Sequence, residues 1–282
     1  MKIIDLRCRP AFLHPFFGGV PGSPEHDVAR WLNRRVGTRG ADNHFERSLT
    51  QEGFLGEVRE AGLYKAAVVG RHTPSQHLSN DLIHSVVYGH QELIGIGAVE
   101  PVLQGIEGAI AEIDRAIDVL GLSGIDLEPG FAEPARHADD PLYWPIYEHL
   151  QKRGVPLFIM SGPTTPDPTY NDPGRLAAVA HAFPQLKIVA SHGYWPNVQQ
   201  AIGVAFRYEN IHLLPDMYLF QAGSEAYVQA ANGFLGDQLL FGSSYTFRPI
   251  GQSIEDAQRL GLKDEVVEKF FFANAARVLN LA

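Results

Sequence analysis

"DDPLYWPIYEHLQKRGVPLFIMSG" (Asp139–Gly162) holds two signals back to back. Asp140 offers a side-chain oxygen to the unpaired N–H groups of a helix start, and Pro141 comes next at the first helical position, where its missing N–H is not needed. The pattern runs to Gly154, a residue suited to a helix C-terminus. Val155–Gly162 then forms a short, continuous apolar run of the kind found in strands buried on both faces. Another such run, "SGIDLEP" (Ser123–Pro129), stands upstream. Together they spell strand, helix, strand.

The same alternation extends in both directions. Strand-like runs occur at Lys2–Cys8, Tyr64–Gly70, Leu93–Pro101, Leu186–Gly193, Ile211–Tyr218 and Gln238–Ser244. Ile106, Ile110, Ile113, Ile117 and Leu120 recur at helical spacing up to Gly121. Asp172-Pro173 repeats the Asp-Pro helix start, and residues 264–282 read as a closing helix. Eight strand–helix alternations predict an α/β fold, a single-domain (β/α)8 barrel over residues 1–282. An open doubly wound sheet is the alternative, and it lacks a G-x-G-x-x-G after the first strand. Residues 10–50, rich in Pro and Gly, break the rhythm. A loop this long after the first strand is expected to sit over the mouth of a barrel as a lid-like insertion; the plainer reading is a surface excursion.

Composition narrows the function. The 282 residues are 45% apolar and 20% charged, with a formal charge of −9. That acidity argues against nucleic acid or an anionic membrane as partner. Cys8 is the only cysteine, which rules out an intrachain disulfide and agrees with a reducing compartment. There is no leader-like pattern at Met1 and no apolar run near the roughly 20 residues of a membrane span. A cytoplasmic protein is expected.

Barrel enzymes place their chemistry at the C-terminal ends of strands. Strict alternation puts Asp5, Arg7 and Arg9 on one face of the first strand, with Leu6 and Cys8 on the other. It also pairs Asp126 with Glu128 on the fourth. Two neighbouring guanidiniums need acids, water or an anion. They are therefore read either as part of an ion-pair network with Asp126 and Glu128, or as the grip on a substrate carboxylate or phosphate. His192 ends the sixth run and suits proton transfer near neutral pH; its plainer reading is a hydrogen-bonded core histidine. Asp216 is read as its orienting partner, or as a turn-capping loop residue. Ser161, Ser243 and Ser244 are candidate hydrogen-bond donors to a ligand, outside any G-x-S-x-G elbow. Tyr245 and Trp195 are candidate pocket walls or core aromatics. Arg71 and His72 end the second run and are read either as an addition to the anion site or, the favoured and plainer reading, as a solvated loop tip; His14 is read as a loop residue.

"IIDLRCRP" resembles the first-strand signature I-I-D-x-H-x-H of the amidohydrolase superfamily, in its amidohydrolase-2 (aminocarboxymuconate-semialdehyde decarboxylase-like) branch. "GVPLFIMSG", "LKIVASHGYWP", "NIHLLPDMY", "QLLFGSSYTF" and "FFFANAARVLNL" resemble that branch's fifth to eighth strands and closing helix, in order. The resemblance implies a barrel and, in the family, a metal centre. At the family's ligand positions this chain has Arg7, Arg9, Met160 or Ser161, and Ser244; only His192 is kept. Guanidinium cannot ligate a metal. The expectation is therefore no cofactor, with a zinc or manganese ion at a rebuilt site of Glu128, His192 and Asp216 as the alternative. The implied function is hydrolysis of a lactone or amide, or decarboxylation. The substrate would be a small carboxylate held by Arg7 and Arg9, with Asp126, Ser161, Ser244 and Tyr245 around it. His192 would move the proton, supported by Asp216 or Glu128. A barrel that has lost catalysis and serves as a binding subunit is the other alternative. The family's habits imply a homo-oligomer.

Overall fold

Seven of the eight apolar runs form strands in the computed structural model, which describes residues 1–39 and 43–281. They are β1 (Ile4–Cys8), β2 (Lys65–Val69), β5 (Leu93–Ala98), β6 (Ile125–Leu127), β7 (Leu157–Met160), β8 (Ile188–Ser191) and β9 (Ile211–Leu214). All pair in parallel in the order β1-β2-β5-β6-β7-β8-β9. The eighth run does not form a regular strand. It bridges β9 through Leu213–Leu239 and β1 through Cys8–Tyr245, and Leu6 N–H donates to Phe241 O at 3.1 Å. The ring closes through these bonds. Ser244, at φ 58°, takes the backbone out of the extended region.

A short hairpin, β3 (Arg71–Thr73) with β4 (Gln76–Leu78), comes directly after β2 and is not foreshadowed in the sequence. Its strands lack the apolar alternation that marks a sheet, although Pro74-Ser75 is a fair turn signal.

The strands separate two apolar layers. Ile4, Leu6, Val69, Ile96, Phe158, Val189, Leu214 and Leu240 fill the barrel interior, where Ala275, Val278 and Leu279 of the last helix join them. A larger layer packs between strands and outer helices. This partition corrects the alternation expected in β1. Leu6 lies inside with Ile4, Cys8 lies in the outer layer, and the pairing of β1 with β2 shifts register between Asp5 and Cys8. A bulge of this kind re-aims side chains. Asp5 consequently turns to the closing segment, accepting hydrogen bonds from the N–H groups of Arg7 and Ser243, both at 3.0 Å. Arg7 and Arg9 face the mouth.

The helix starts obey their cues. The Asp140 carboxylate accepts from Leu142 N–H and the Asp172 carboxylate from Gly174 N–H, and Gly154 takes φ 63° at the end of Trp144–Arg153. Pro101–Asp118 is kinked at Gly105. The closing helix runs from Asp264 to Val278 with one widened turn at Lys269–Ala273. Of the excursion after β1, residues 40–42 lie outside the described residues. The rest includes short turns at Ala11–Leu13 and Pro15–Phe17 and a helix at Pro24–Arg35. Asn33 Nδ2 donates to Phe247 O at 2.9 Å and Arg248 donates to Val36 O, which tie this helix to the segment after the eighth run. Among the described residues no helix is long and apolar enough to cross a membrane.

Candidate functional site

The ends of β1, β2, β6, β8 and β9 bring charged groups together across the mouth in a row of alternating sign. It runs Asp216, Arg7, Asp126, Arg9, Glu128, Arg71. Successive ion pairs measure 3.8, 3.8, 3.1, 3.0 and 2.7 Å. Three acids face three guanidiniums, as buried charges require. The three arginines are only 3%, 5% and 4% exposed.

The row is tight at one end and loose at the other. Arg9 Nη2 donates to Asp126, to Glu128 and to Gly70 O at 2.7 Å, and its Nε donates to Val69 O at 3.1 Å. Arg7 is poorly served by comparison. Its Nη2 sits 3.0 Å from the Met160 thioether, a weak acceptor, and its buried Nη1 has no hydrogen-bond partner. Burial and the neighbouring Arg9 pull the Arg7 pKa down to about 10, so it stays charged at neutral pH. Burial pushes the Asp126 carboxyl above its ordinary value, against the pull of Arg9. Burial also works to raise Glu128, but Arg71 and Arg9 outweigh it and hold its pKa below the ordinary value.

His192 directly succeeds β8, and Asp216 lies just beyond β9, both at positive φ (64° and 43°). The imidazole Nδ1 lies 2.8 Å from the Asp216 carboxylate. Burial, assisted by Arg7, lowers the His192 pKa despite that carboxylate. The shift favours the neutral ring, and the Asp216 carboxylate at Nδ1 favours the tautomer with its proton on that nitrogen.

Above this floor lies a cavity of about 460 Å³. Arg7, Arg9, Arg71, His192 and Ser244 line its polar part. Phe16, Phe17, Phe131, Met160, Met217 and Phe247 make most of the wall, and Val28, Trp31 and Leu32 of the helix Pro24–Arg35 complete it. A mostly apolar pocket with a few convergent polar groups suits a small organic ligand. Ser244 Oγ is buried there without a partner.

Several expected contributors lie elsewhere. Ser161 does not line the cavity; its Oγ donates to Ser191 O and accepts from Tyr194 N–H, holding the turn after His192. Tyr245 lines the wall with its ring, stacked on Phe54, while its hydroxyl donates to His44 O at 3.0 Å. Ser243 accepts from Tyr245 N–H, and Trp195 stacks on Tyr218 outside the cavity lining. Asp126, Glu128 and Asp216 stand behind the floor, bound to the arginines and His192. Glu128 is engaged by two guanidiniums and does not approach His192 as a third ligand would; among the described residues no group of three His, Cys, Asp or Glu side chains is placed to hold a metal. Arg71, expected at a solvated loop tip, is buried instead, because the hairpin folds it back onto Glu128. The sequence does hold an unbalanced signal: Asp126 and Glu128 on one strand already provide two acids for Arg7 and Arg9, and Asp216 leaves room for a third cation.

Residues 60–281, more than three quarters of the chain, match the amidohydrolase family Amidohydro_2. A 2-amino-3-carboxymuconate-6-semialdehyde decarboxylase from Dictyostelium discoideum is 33% identical over 85 residues, which cover 30% of this chain and 23% of that protein. The match thus spans about a quarter of that relative's length. Among solved structures, an uncharacterized TIM-barrel protein from Bordetella bronchiseptica is 33% identical, with a TM-score of 0.89 over 99% of both chains. A dihydroxybenzoic acid decarboxylase from Polaromonas sp. JS666, with bound manganese and the inhibitor 2-nitroresorcinol, shares the fold at 16% identity, with a TM-score of 0.71 over 99% of this chain and 97% of that one. By this match, and by a barrel whose strand ends converge on one cavity, the chain belongs to the amidohydrolase family.

Proposed function

We propose that this barrel is an enzyme that binds a small, largely apolar carboxylate on Arg7 and carries out proton-transfer chemistry at His192 without a divalent metal. The observation that carries the reading is Arg7: a buried, charged guanidinium whose Nη1 lacks a partner and whose nearest acids stand at 3.8 Å. Such a group is stabilised by an anion that enters the cavity and supplies oxygens at about 2.8 Å. Arg9 orients the row and lends positive potential; its Nε and Nη2 are engaged by Val69, Gly70, Asp126 and Glu128.

The donor set does not fit a divalent cation. Three guanidiniums crowd the floor, their fixed charge repels a cation, and each acid there is engaged by an arginine or by His192. The manganese of the Polaromonas enzyme therefore has no counterpart in this reading.

With its proton on Nδ1, His192 presents Nε2 as a base. Hydrolysis of a lactone or amide uses it directly. Nε2 takes a proton from water, the water oxygen bonds to the carbonyl carbon, and the positive potential that Arg9 lends the cavity stabilises the oxyanion. The C–O or C–N bond then breaks as the leaving group takes the proton from His192. A second reading is decarboxylation, favoured by the similarity to the Dictyostelium decarboxylase. It requires Nε2 of His192 first to take up a proton from solvent and then to deliver it to carbon as the C–C bond breaks and CO2 leaves, and a carboxylate gripped by Arg7 is stabilised against leaving. The helix Pro24–Arg35, which places Trp31 and Val28 on the cavity wall, would act as the lid that keeps bulk water out.

Carboxylate lactones and amides incubated with chelator-treated enzyme provide the test, with product acid and released CO2 monitored in parallel. Turnover that is lost in His192→Gln supports the reading, and acid without CO2 selects hydrolysis. Turnover that appears only on adding manganese or zinc contradicts it.

A further inference from the structure

At the opposite end of the row from His192 stands a polar cluster that this chemistry does not use. Arg71 opens the hairpin directly after β2. Its guanidinium lies 4.7 Å from the ring centroid of Phe131 and 5.7 Å from that of Phe16, which fixes its plane. One nitrogen, Nη2, pairs with Glu128 at 2.7 Å; another, Nε, is buried and has no hydrogen-bond partner. Across the hairpin, Gln76 is held by two hydrogen bonds between its backbone and Thr73 Oγ1, at 3.1 and 3.2 Å. Its side-chain Oε1 is likewise buried without a partner. Arg71 and Gln76 both line the cavity.

A buried donor and a buried acceptor left open on one cavity wall each lack the hydrogen bond that water would give them in the unfolded chain. Glu128 already neutralises Arg71, so this end offers hydrogen bonding without spare charge. Arg7, with its acids at 3.8 Å, offers the reverse. We propose that Arg71 and Gln76 form a second subsite that selects carboxylates whose far end carries an uncharged group able both to accept and to donate a hydrogen bond, a hydroxyl or a carboxamide. Arg71 Nε–H donates to that group and Gln76 Oε1 accepts from it, while Phe16 and Phe131 hold the apolar body between the two ends. The inference rests on Arg7 being the carboxylate grip.

Calorimetric titration of the full-length protein with benzoate and with 3- and 4-substituted benzoates carrying methyl, hydroxyl, carbamoyl or a second carboxylate tests it. In the unaltered protein a hydroxyl or carbamoyl derivative is expected to bind about tenfold more tightly than its methyl counterpart, the effect of about 1.4 kcal/mol of added hydrogen bonding. Gln76→Leu should remove that preference while leaving the Kd for benzoate itself within about twofold, since the Gln76 side-chain oxygen holds nothing else in place. A preference that survives Gln76→Leu, or a dicarboxylate that binds tightest, overturns the subsite. Benzoate binding that is immeasurable, or indifferent to Arg7→Met, overturns the carboxylate grip, and the subsite with it.

Discussion

Arg7, in β1, and Arg9, one residue beyond its end, both line the cavity and are both buried, yet their replacement by Met should have opposite consequences. Arg9 makes four hydrogen bonds, two of them to carboxylates. Arg9→Met leaves Asp126 with Arg7 alone at 3.8 Å and two carbonyls unpaired. Removing one partner of a buried, hydrogen-bonded ion pair costs about 3–5 kcal/mol. At about 2–4 °C per kcal/mol for domains of roughly this size, Tm should fall by about 6–20 °C. Arg7 is different. Each 3.8 Å pair is worth about 4 kcal/mol at an effective dielectric of about 20. Against this stand the several kcal/mol needed to bury a guanidinium, the repulsion of Arg9, and an unmade hydrogen bond. After Arg7→Met, Asp126 keeps Arg9 and Asp216 keeps His192. A thioether of similar length fills the space, and Tm should move by less than about 3 °C, equivalent to about 1 kcal/mol. Carboxylate binding should be lost all the same. Differential scanning calorimetry of both variants, with chemical denaturation as a second measure, checks this. If Arg7→Met unfolds the protein as readily as Arg9→Met, Arg7 is a structural member of the network and the grip is wrongly assigned.

Three other outcomes are expected. With its pKa lowered by burial, His192 should stay a competent base below the ordinary value of 6.5; the acid limb of kcat/KM is expected below that pH and should vanish with the activity in His192→Gln, while a limb at or above 6.5 would contradict the assignment. Glu100, capping the helix Pro101–Asp118, has its carboxyl raised by burial to about 7. A carboxyl raised above its unfolded value destabilises the fold when ionised, so this penalty is full above about pH 7, shrinks as pH falls from 7 towards the ordinary value of 4.5, and is absent below it. Glu100→Gln, which mimics the protonated form, should raise Tm most at about pH 8, less at about pH 6, and match the unaltered protein only at about pH 4, as thermal melts across that range would show. Arg248→Leu should free the helix Pro24–Arg35 from its anchor at Val36; limited proteolysis is expected to cut residues 20–36 faster in the variant, and equal rates would mean that Asn33 holds the helix alone.

The barrel is legible because parallel strands buried on both faces leave continuous apolar runs, and because Asp-Pro and Gly mark helix ends chemically. The closing segment reads as a regular strand since its apolar half, Leu239–Phe241, looks like the others. Its polar half, Ser243 to Tyr245, instead bonds to β1 outside a regular ladder. Strict alternation puts Asp126 and Glu128 on one face, and both pair with Arg9; it fails in β1, where a bulge lets Leu6 and Arg7 both point inward. Bulges depend on the neighbouring strand and leave little trace in a single sequence. The burial of Arg71 escapes a sequence reading for a related reason. A charged residue after a strand looks like a loop tip until the hairpin folds it back, and only the need of three acids for three cations hints otherwise. The cavity's aromatic wall comes from residues far apart in sequence, Phe16, Phe131 and Phe247, whose convergence is a property of the fold.

The central claim is that a guanidinium grip has taken the place of a metal centre. It is tested most directly by the Kd of benzoate and its hydroxylated forms for protein stripped of metal by a chelator, measured calorimetrically beside the untreated protein. The account predicts the same Kd before and after stripping, with less than about 0.1 metal per chain in the untreated sample, since a competent site would be largely filled. Binding that disappears on stripping and returns with added manganese would contradict it.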